Sequence, residues 1–200
     1  MILGLDFDNT LICYDELFYQ VAVDKGLVPL DLSKTKNTVR DYLRQLGKED
    51  DWILLQGEVY GGRIQEATAF DGMQEALKKI AAQGDTMFLI SHKTRTPYMG
   101  QQYDLHQAAR GWLDSHAFFD VEGLGWQGNQ VFFELTKEEK VQRIVQLGCT
   151  HYIDDLPEIL EMLPDTIQKI LFAPHKIGAI PKEWERLDEW SLLPELLSSC

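Results

Sequence analysis

Cys13, Cys149 and Cys200 are the only three thiols of this 200-residue chain, and no two form a C-x-x-C pair. That argues against a cysteine-based zinc site or a dithiol redox motif, and an odd, scattered set offers no disulfide framework. Basic residues are scarce as well: 19 Lys and Arg against 32 Asp and Glu leave a formal charge of −13. A balance of that sign argues against binding nucleic acid through its phosphates, which needs a basic face, and against an anionic membrane surface. Long apolar runs are missing too, since none approaches the roughly 20 residues of a bilayer span. No cationic segment precedes the apolar run at the N-terminus, and Asp6 interrupts it, so it does not read as a signal peptide. Neither internal repeats nor low-complexity tracts occur. The expectation is a cytoplasmic protein, one domain or one domain with a modest insert, whose 44% hydrophobic residues suffice for a sizeable core.

What is present is an alternation. Strand-like apolar runs recur at Ile2–Leu5, Thr86–Ile90, Val131–Phe133, His151–Ile153 and Ile167–Phe172. Helical patterns lie between several of them. Met73, Ala76, Leu77, Ile80 and Ala81 repeat at helix spacing before the stop at Gly84. Thr136-Lys137-Glu138-Glu139 has the form of a capping box, and the helix it opens is expected to turn Val141, Ile144, Val145 and Leu147 inward. Pro157–Leu163 reads as a further short helix. Strands alternating with helices predict an α/β domain with a mainly parallel sheet.

From Tyr14 to Phe70 the rhythm breaks: helices are expected at Glu16–Val23, Thr38–Leu46 and Asp50–Val59, with no strand. We therefore divide the chain into a Rossmann-like α/β core, residues 1–13 plus 71–200, and a small helical cap inserted at 14–70. Within the core, Tyr103–Leu113 looks helical and Trp126–Phe133 suits a hairpin. The tail carries Trp184, Leu187 and Trp190, which suit packing on the sheet or against another chain, so the number of subunits stays open.

Ligands of parallel α/β sheets sit beyond the C-terminal ends of the strands, and the residues expected there share one chemistry. The first strand runs into Asp6-Phe7-Asp8-Asn9-Thr10, the Thr86–Ile90 strand into Ser91-His92-Lys93, and the His151–Ile153 strand into Asp154-Asp155. The helix after Thr136 adds Lys137 at its start and Lys140 one turn on. Two carboxylates as close as Asp6 and Asp8 would repel unless a cation offset them. Aspartate is a competent nucleophile toward phosphorus, and a second acid can serve the leaving group and then water. A transferred phosphoryl group needs hydrogen-bond donors and positive charge around its oxygens.

Asp6-Phe7-Asp8-Asn9-Thr10, Phe88-Leu89-Ile90-Ser91, the lysine-bearing helix and Tyr152-Ile153-Asp154-Asp155, in this order, resemble the haloacid dehalogenase (HAD) superfamily of phosphohydrolases. The resemblance covers Met1–Cys13 and Asp71 to about Phe172. It implies a HAD-like fold and a Mg²⁺-dependent phosphatase acting on a small phosphorylated metabolite. Asp6 is implied as nucleophile and metal ligand, and Asp8 as general acid and base with its backbone carbonyl on the metal. Ser91 would hold phosphoryl oxygens, while Asp154 and Asp155 would complete the metal site. Lys137, at the helix start, is preferred over Lys140 as the catalytic lysine; Lys140, His92 and Lys93 are then candidates for lining the substrate pocket. The same intermediate would serve a phosphotransferase or mutase, and a non-catalytic phosphate-binding module is the third reading.

Overall fold

The computed structural model describes residues 1–174 and 178–198. In chain order the elements are β1 (Ile2–Leu5), β2 (Ile12–Cys13), α1 (Asp15–Asp24), α2 (Lys36–Gln45), α3 (Glu49–Gly57), β3 (Thr68–Ala69), α4 (Met73–Ala82) and β4 (Thr86–His92). They continue with α5 (Leu105–Ser115), β5 (Val131–Glu134), α6 (Lys137–Gln146), β6 (His151–Asp154), α7 (Pro157–Met162), β7 (Gln168–Phe172), β8 (Glu185–Leu187) and α8 (Leu193–Ser198). The chain folds into two compact units.

The first unit comprises Met1–Leu11, Ala69–Lys93 and Ala117–Cys200. Its centre is a six-stranded sheet in the order β5-β4-β1-β6-β7-β8, and every neighbouring pair is parallel. The strands read as continuous apolar runs because helices cover a parallel sheet on both faces. Leu3, Leu5, Leu89, Ile90, Tyr152, Ile153, Ile170 and Leu171 are all buried. The strand order reverses at β1, with β4 and β5 on one side and β6, β7 and β8 on the other. A crevice therefore opens beyond the C-terminal end of β1, which is where an open α/β sheet holds its ligand. Trp184, Leu187 and Trp190 are buried in this unit, and the Trp190 indole N–H donates to the Thr10 carbonyl at 3.1 Å.

Two local expectations fail here. Trp126–Phe133 is not a hairpin: Trp126 is buried edge-on against Phe118, Gly128–Gln130 forms a single 3₁₀ turn, and Val131–Glu134 pairs with β4 in parallel. Joining the open edge of β4 pairs all four residues of β5 along one edge, whereas a hairpin would have needed a tight turn that the intervening residues do not make. On α6, Val145 is half exposed, and the fully buried positions are Lys140 and Ile144. The helix is rotated so that a lysine lies on its inner face.

The second unit comprises Ile12–Thr68 and Thr94–His116. Its core is aromatic: Phe18 stacks on Trp52 with ring centroids 4.9 Å apart and meets Tyr60 edge-on at 5.5 Å. The sequence reading assigns Thr94–His116 to the α/β core; its contacts group it with the helical segment instead. The reason is packing. The Trp112 indole N–H of α5 donates to the Ala67 carbonyl at 2.9 Å, and Gly61 is so close to Tyr103 that a Cβ there would stand 2.5 Å from the tyrosine ring. Among the described residues no helix is long and apolar enough to cross a membrane.

Candidate active site

β1 ends at Leu5, but its backbone remains tied to β6 for one more residue, since the Asp6 N–H donates to the Ile153 carbonyl at 2.9 Å. The chain then curls, with the N–H groups of Thr10 and Leu11 both donating to the Phe7 carbonyl. Asn9 takes the left-handed conformation, φ 57°, which asparagine tolerates better than most side chains. This turn removes Asp8 from the strand direction. Asp6 is buried, 4% exposed, whereas the Asp8 side chain is 24% exposed.

Three segments far from Asp6 in sequence converge on its carboxylate. The Ser91 hydroxyl donates to Oδ1 at 2.8 Å, and the Lys140 ammonium to the same oxygen at 2.6 Å. Lys140 also donates to Asp154 Oδ2 at 2.7 Å, and the other Asp154 oxygen accepts the Leu156 N–H at 2.9 Å. The Thr10 hydroxyl approaches Asp6 Oδ2 at 3.4 Å from one turn along the loop. Carboxylate oxygens of Asp6, Asp154 and Asp155 all lie within 4.8 Å of one another.

The electrostatics follow from burial. Desolvation disfavours the charge on Lys140, yet Asp154 and Asp6 beside it hold its pKa well above the ordinary lysine value. Burial pushes the Asp154 carboxyl up to about 7 against the downward pull of Lys140, and nearby Asp6 adds to the rise. Asp6, Asp154 and Asp155 bring three carboxyl groups against the one ammonium of Lys140. That set of hard oxygen donors, a few ångströms apart, fits a divalent cation of the magnesium type.

The structure separates the two lysines of α6. Lys137, preferred from the sequence, does not meet Asp6 here: its ammonium pairs with Glu158 at 2.7 Å, and its side chain is 38% exposed. Lys140 is the one that reaches Asp6. Helical side chains lean toward the N-terminus of their helix and cover the preceding turn. From the second turn that lean delivers an ammonium to the sheet end; from the first residue it points past the helix.

His92, expected to line the pocket, makes a ring hydrogen bond with the Leu135 carbonyl at 3.1 Å. Lys93 meets Asp8, donating to its two oxygens at 2.8 and 2.7 Å. Thr10, to which the sequence motif attaches no role, is the further side chain beside Asp6. Its signal was its position four residues after Asp6, one turn along a loop that must curl for Asp8 to approach the same centre.

The chain matches no protein-family model. It is 23% identical over 197 residues, 95% of either chain, to a protein of Oceanobacillus iheyensis named "Putative nucleotidase". Among solved structures it resembles a haloacid dehalogenase-like family hydrolase from Xanthomonas campestris, with TM-score 0.56 and 12% identity, covering 100% of this chain and 95% of that one. It also resembles the magnesium-bound "putative HAD-hydrolase YfnB" of Bacillus subtilis, with TM-score 0.58 and 13% identity, covering 98% and 97%. The fold is that of the haloacid dehalogenase-like hydrolases.

Proposed function

We propose that this chain is a Mg²⁺-dependent phosphomonoester hydrolase. The observation that carries the reading is the convergence of Asp6, Ser91, Lys140 and Asp154, from four separate segments, at the strand-order reversal of a parallel sheet. In this reading Asp6 attacks phosphorus and the ester P–O bond breaks, leaving an aspartyl-phosphate. Asp8 gives a proton to the departing oxygen and later takes one from the water that releases phosphate. Ser91 and Lys140 donate to the phosphoryl oxygens, and Lys140 offsets the charge that builds there. Asp6, Asp154, Asp155 and the Asp8 backbone carbonyl would hold the cation. Bound Mg²⁺ would supply further positive charge to the phosphoryl oxygens. The magnesium on YfnB and the nearness of the three carboxylates support that choice of metal.

The second unit, taken by itself, carries a pocket lined by Ile53, Gln56, Tyr60, Thr94, Pro97 and Tyr98: aliphatic and ring side chains with one amide and three hydroxyls, a lining that suits a heteroaromatic ring. Together with the name of the Oceanobacillus relative, this makes nucleoside monophosphates the first substrates to try. The test is a panel of phosphomonoesters that includes them, with wild type and Asp6→Asn in Mg²⁺ and in EDTA. Phosphate release by wild type in Mg²⁺ alone is expected. Equal release by Asp6→Asn would sink the assigned chemistry.

A further inference from the structure

Lys93 directly follows β4. Its backbone N–H donates to the Glu134 carbonyl at 2.8 Å, extending the β4–β5 ladder and fixing where the side chain leaves the sheet. The ammonium lies 5.4 Å from the Phe7 ring centroid and donates to both carboxylate oxygens of Asp8. Only 3% of the Lys93 side chain is exposed, against 24% for Asp8. Passing outward, the order is lysine, carboxylate, solvent. A lysine that captures a substrate anion presents its head to the open side; this one turns its head to the two oxygens of an aspartate.

The pair has a mechanical consequence. Asp8 stands beyond the strand end, in a turn whose next residue is in the left-handed region. Two short charge-assisted bonds to its two oxygens restrict rotation of that carboxylate. Proton transfer requires an oxygen within hydrogen-bond reach of its target, and misplacement by about 1 Å can cost about 10²-fold in rate.

We propose, on the phosphatase reading above, that Lys93 is a positioning residue for Asp8 and not a binder of the substrate phosphoryl group. The ammonium holds the carboxylate in the direction from which it serves both half-reactions. In the first, Asp6 attacks phosphorus, the bond to the leaving oxygen breaks, and that oxygen takes a proton from Asp8. In the second, a water oxygen attacks phosphorus, the Asp6–phosphorus bond breaks, and the water proton passes to Asp8.

The experiment uses p-nitrophenyl phosphate, whose leaving group departs without a proton, so that loss of positioning falls on the second half-reaction. Lys93→Met is expected to lower kcat about 10- to 100-fold, leave KM within about twofold, and raise the fraction of ³²P-labelled phosphoenzyme trapped by acid quench. Lys93→Arg, whose fork also spans two carboxylate oxygens, should recover most of kcat. Because Lys93 acts through Asp8, the double variant Asp8→Asn/Lys93→Met should be no slower than Asp8→Asn alone. A raised KM with kcat retained, multiplying losses in the double variant, or an unaffected Lys93→Met would each overturn the proposal. Should Lys93→Met fail to melt cooperatively, Lys93→Gln is judged by the same criteria. Wild-type protein that hydrolyses no phosphomonoester removes the phosphatase reading itself, whereas active wild type with an indifferent Lys93→Met removes only the positioning role.

Discussion

Lys140 and Asp6 stand 134 positions apart in sequence and 2.6 Å apart in space. The same ammonium is 2.7 Å from Asp154, so one lysine ties together the ends of β1 and β6. A buried carboxylate deprived of its partner keeps its desolvation penalty and loses its compensation. Lys140→Met should therefore destabilise the protein by about 3–5 kcal/mol in urea unfolding and lower turnover by at least about 10²-fold. Lys137→Ala removes only the exposed pair with Glu158. It should change stability by less than about 1 kcal/mol and leave kcat nearly untouched. The reverse ranking of the two variants would return the catalytic role to Lys137.

Asp154 gives the metal-free protein a pH dependence of definite sign. Burial raises its carboxyl from 3.8 to about 7 in the folded state. The folded state thus holds this proton more tightly than the unfolded chain does. The associated stability is complete below about 3.8 and is lost as pH rises through about 7. In EDTA, melting temperature should fall between pH 5.5 and 8, and Asp154→Asn should flatten that slope. Mg²⁺ competes with the same proton, so the rise in melting temperature that it produces should be larger at pH 8 than at pH 5.5. A metal-induced shift that does not change with pH would remove Asp154 from the cation site.

The site was legible where strand ends define it. Asp6, Ser91 and Asp154 are terminal or next to terminal on β1, β4 and β6, and a parallel sheet carries such ends to one edge; they meet because these three strands are neighbours. The order itself, with β1 between β4 and β6, is not written in any local pattern. Closeness of Lys137 to the sheet end favours it in the sequence, whereas the lean of helical side chains toward the helix N-terminus brings Lys140, one turn on, to Asp6. Of the four apolar residues expected to face inward on α6, Val141, Ile144 and Leu147 pack on the core and Val145 is half exposed, because the buried Lys140 shares the inner face. Lys93 was legible as a pocket residue by position, but its pairing with Asp8 depends on the turn at Asn9. Thr94–His116 carries an ordinary helical pattern, and nothing in that pattern says which unit the helix joins. That information sits in single contacts such as Gly61 with Tyr103.

That contact yields the last prediction. A Cβ on Gly61 would meet Tyr103 Cβ, Cγ and Cδ2 at 2.5, 2.5 and 2.6 Å, closer than any real carbon contact. The tyrosine cannot simply step aside, because its hydroxyl is held between acceptors on Glu58 at 3.2 Å and Gln101 at 3.1 Å. Gly61→Ala should therefore separate the 94–116 segment from the helices it packs on, at a cost of about 1–3 kcal/mol, and speed proteolysis within that segment. Gly128→Ala is the control, since nothing lies within 4 Å of its Cβ position, and it should change stability by less than about 0.5 kcal/mol. If the two alanine variants unfold at the same urea concentration, Tyr103 is not what joins 94–116 to the second unit.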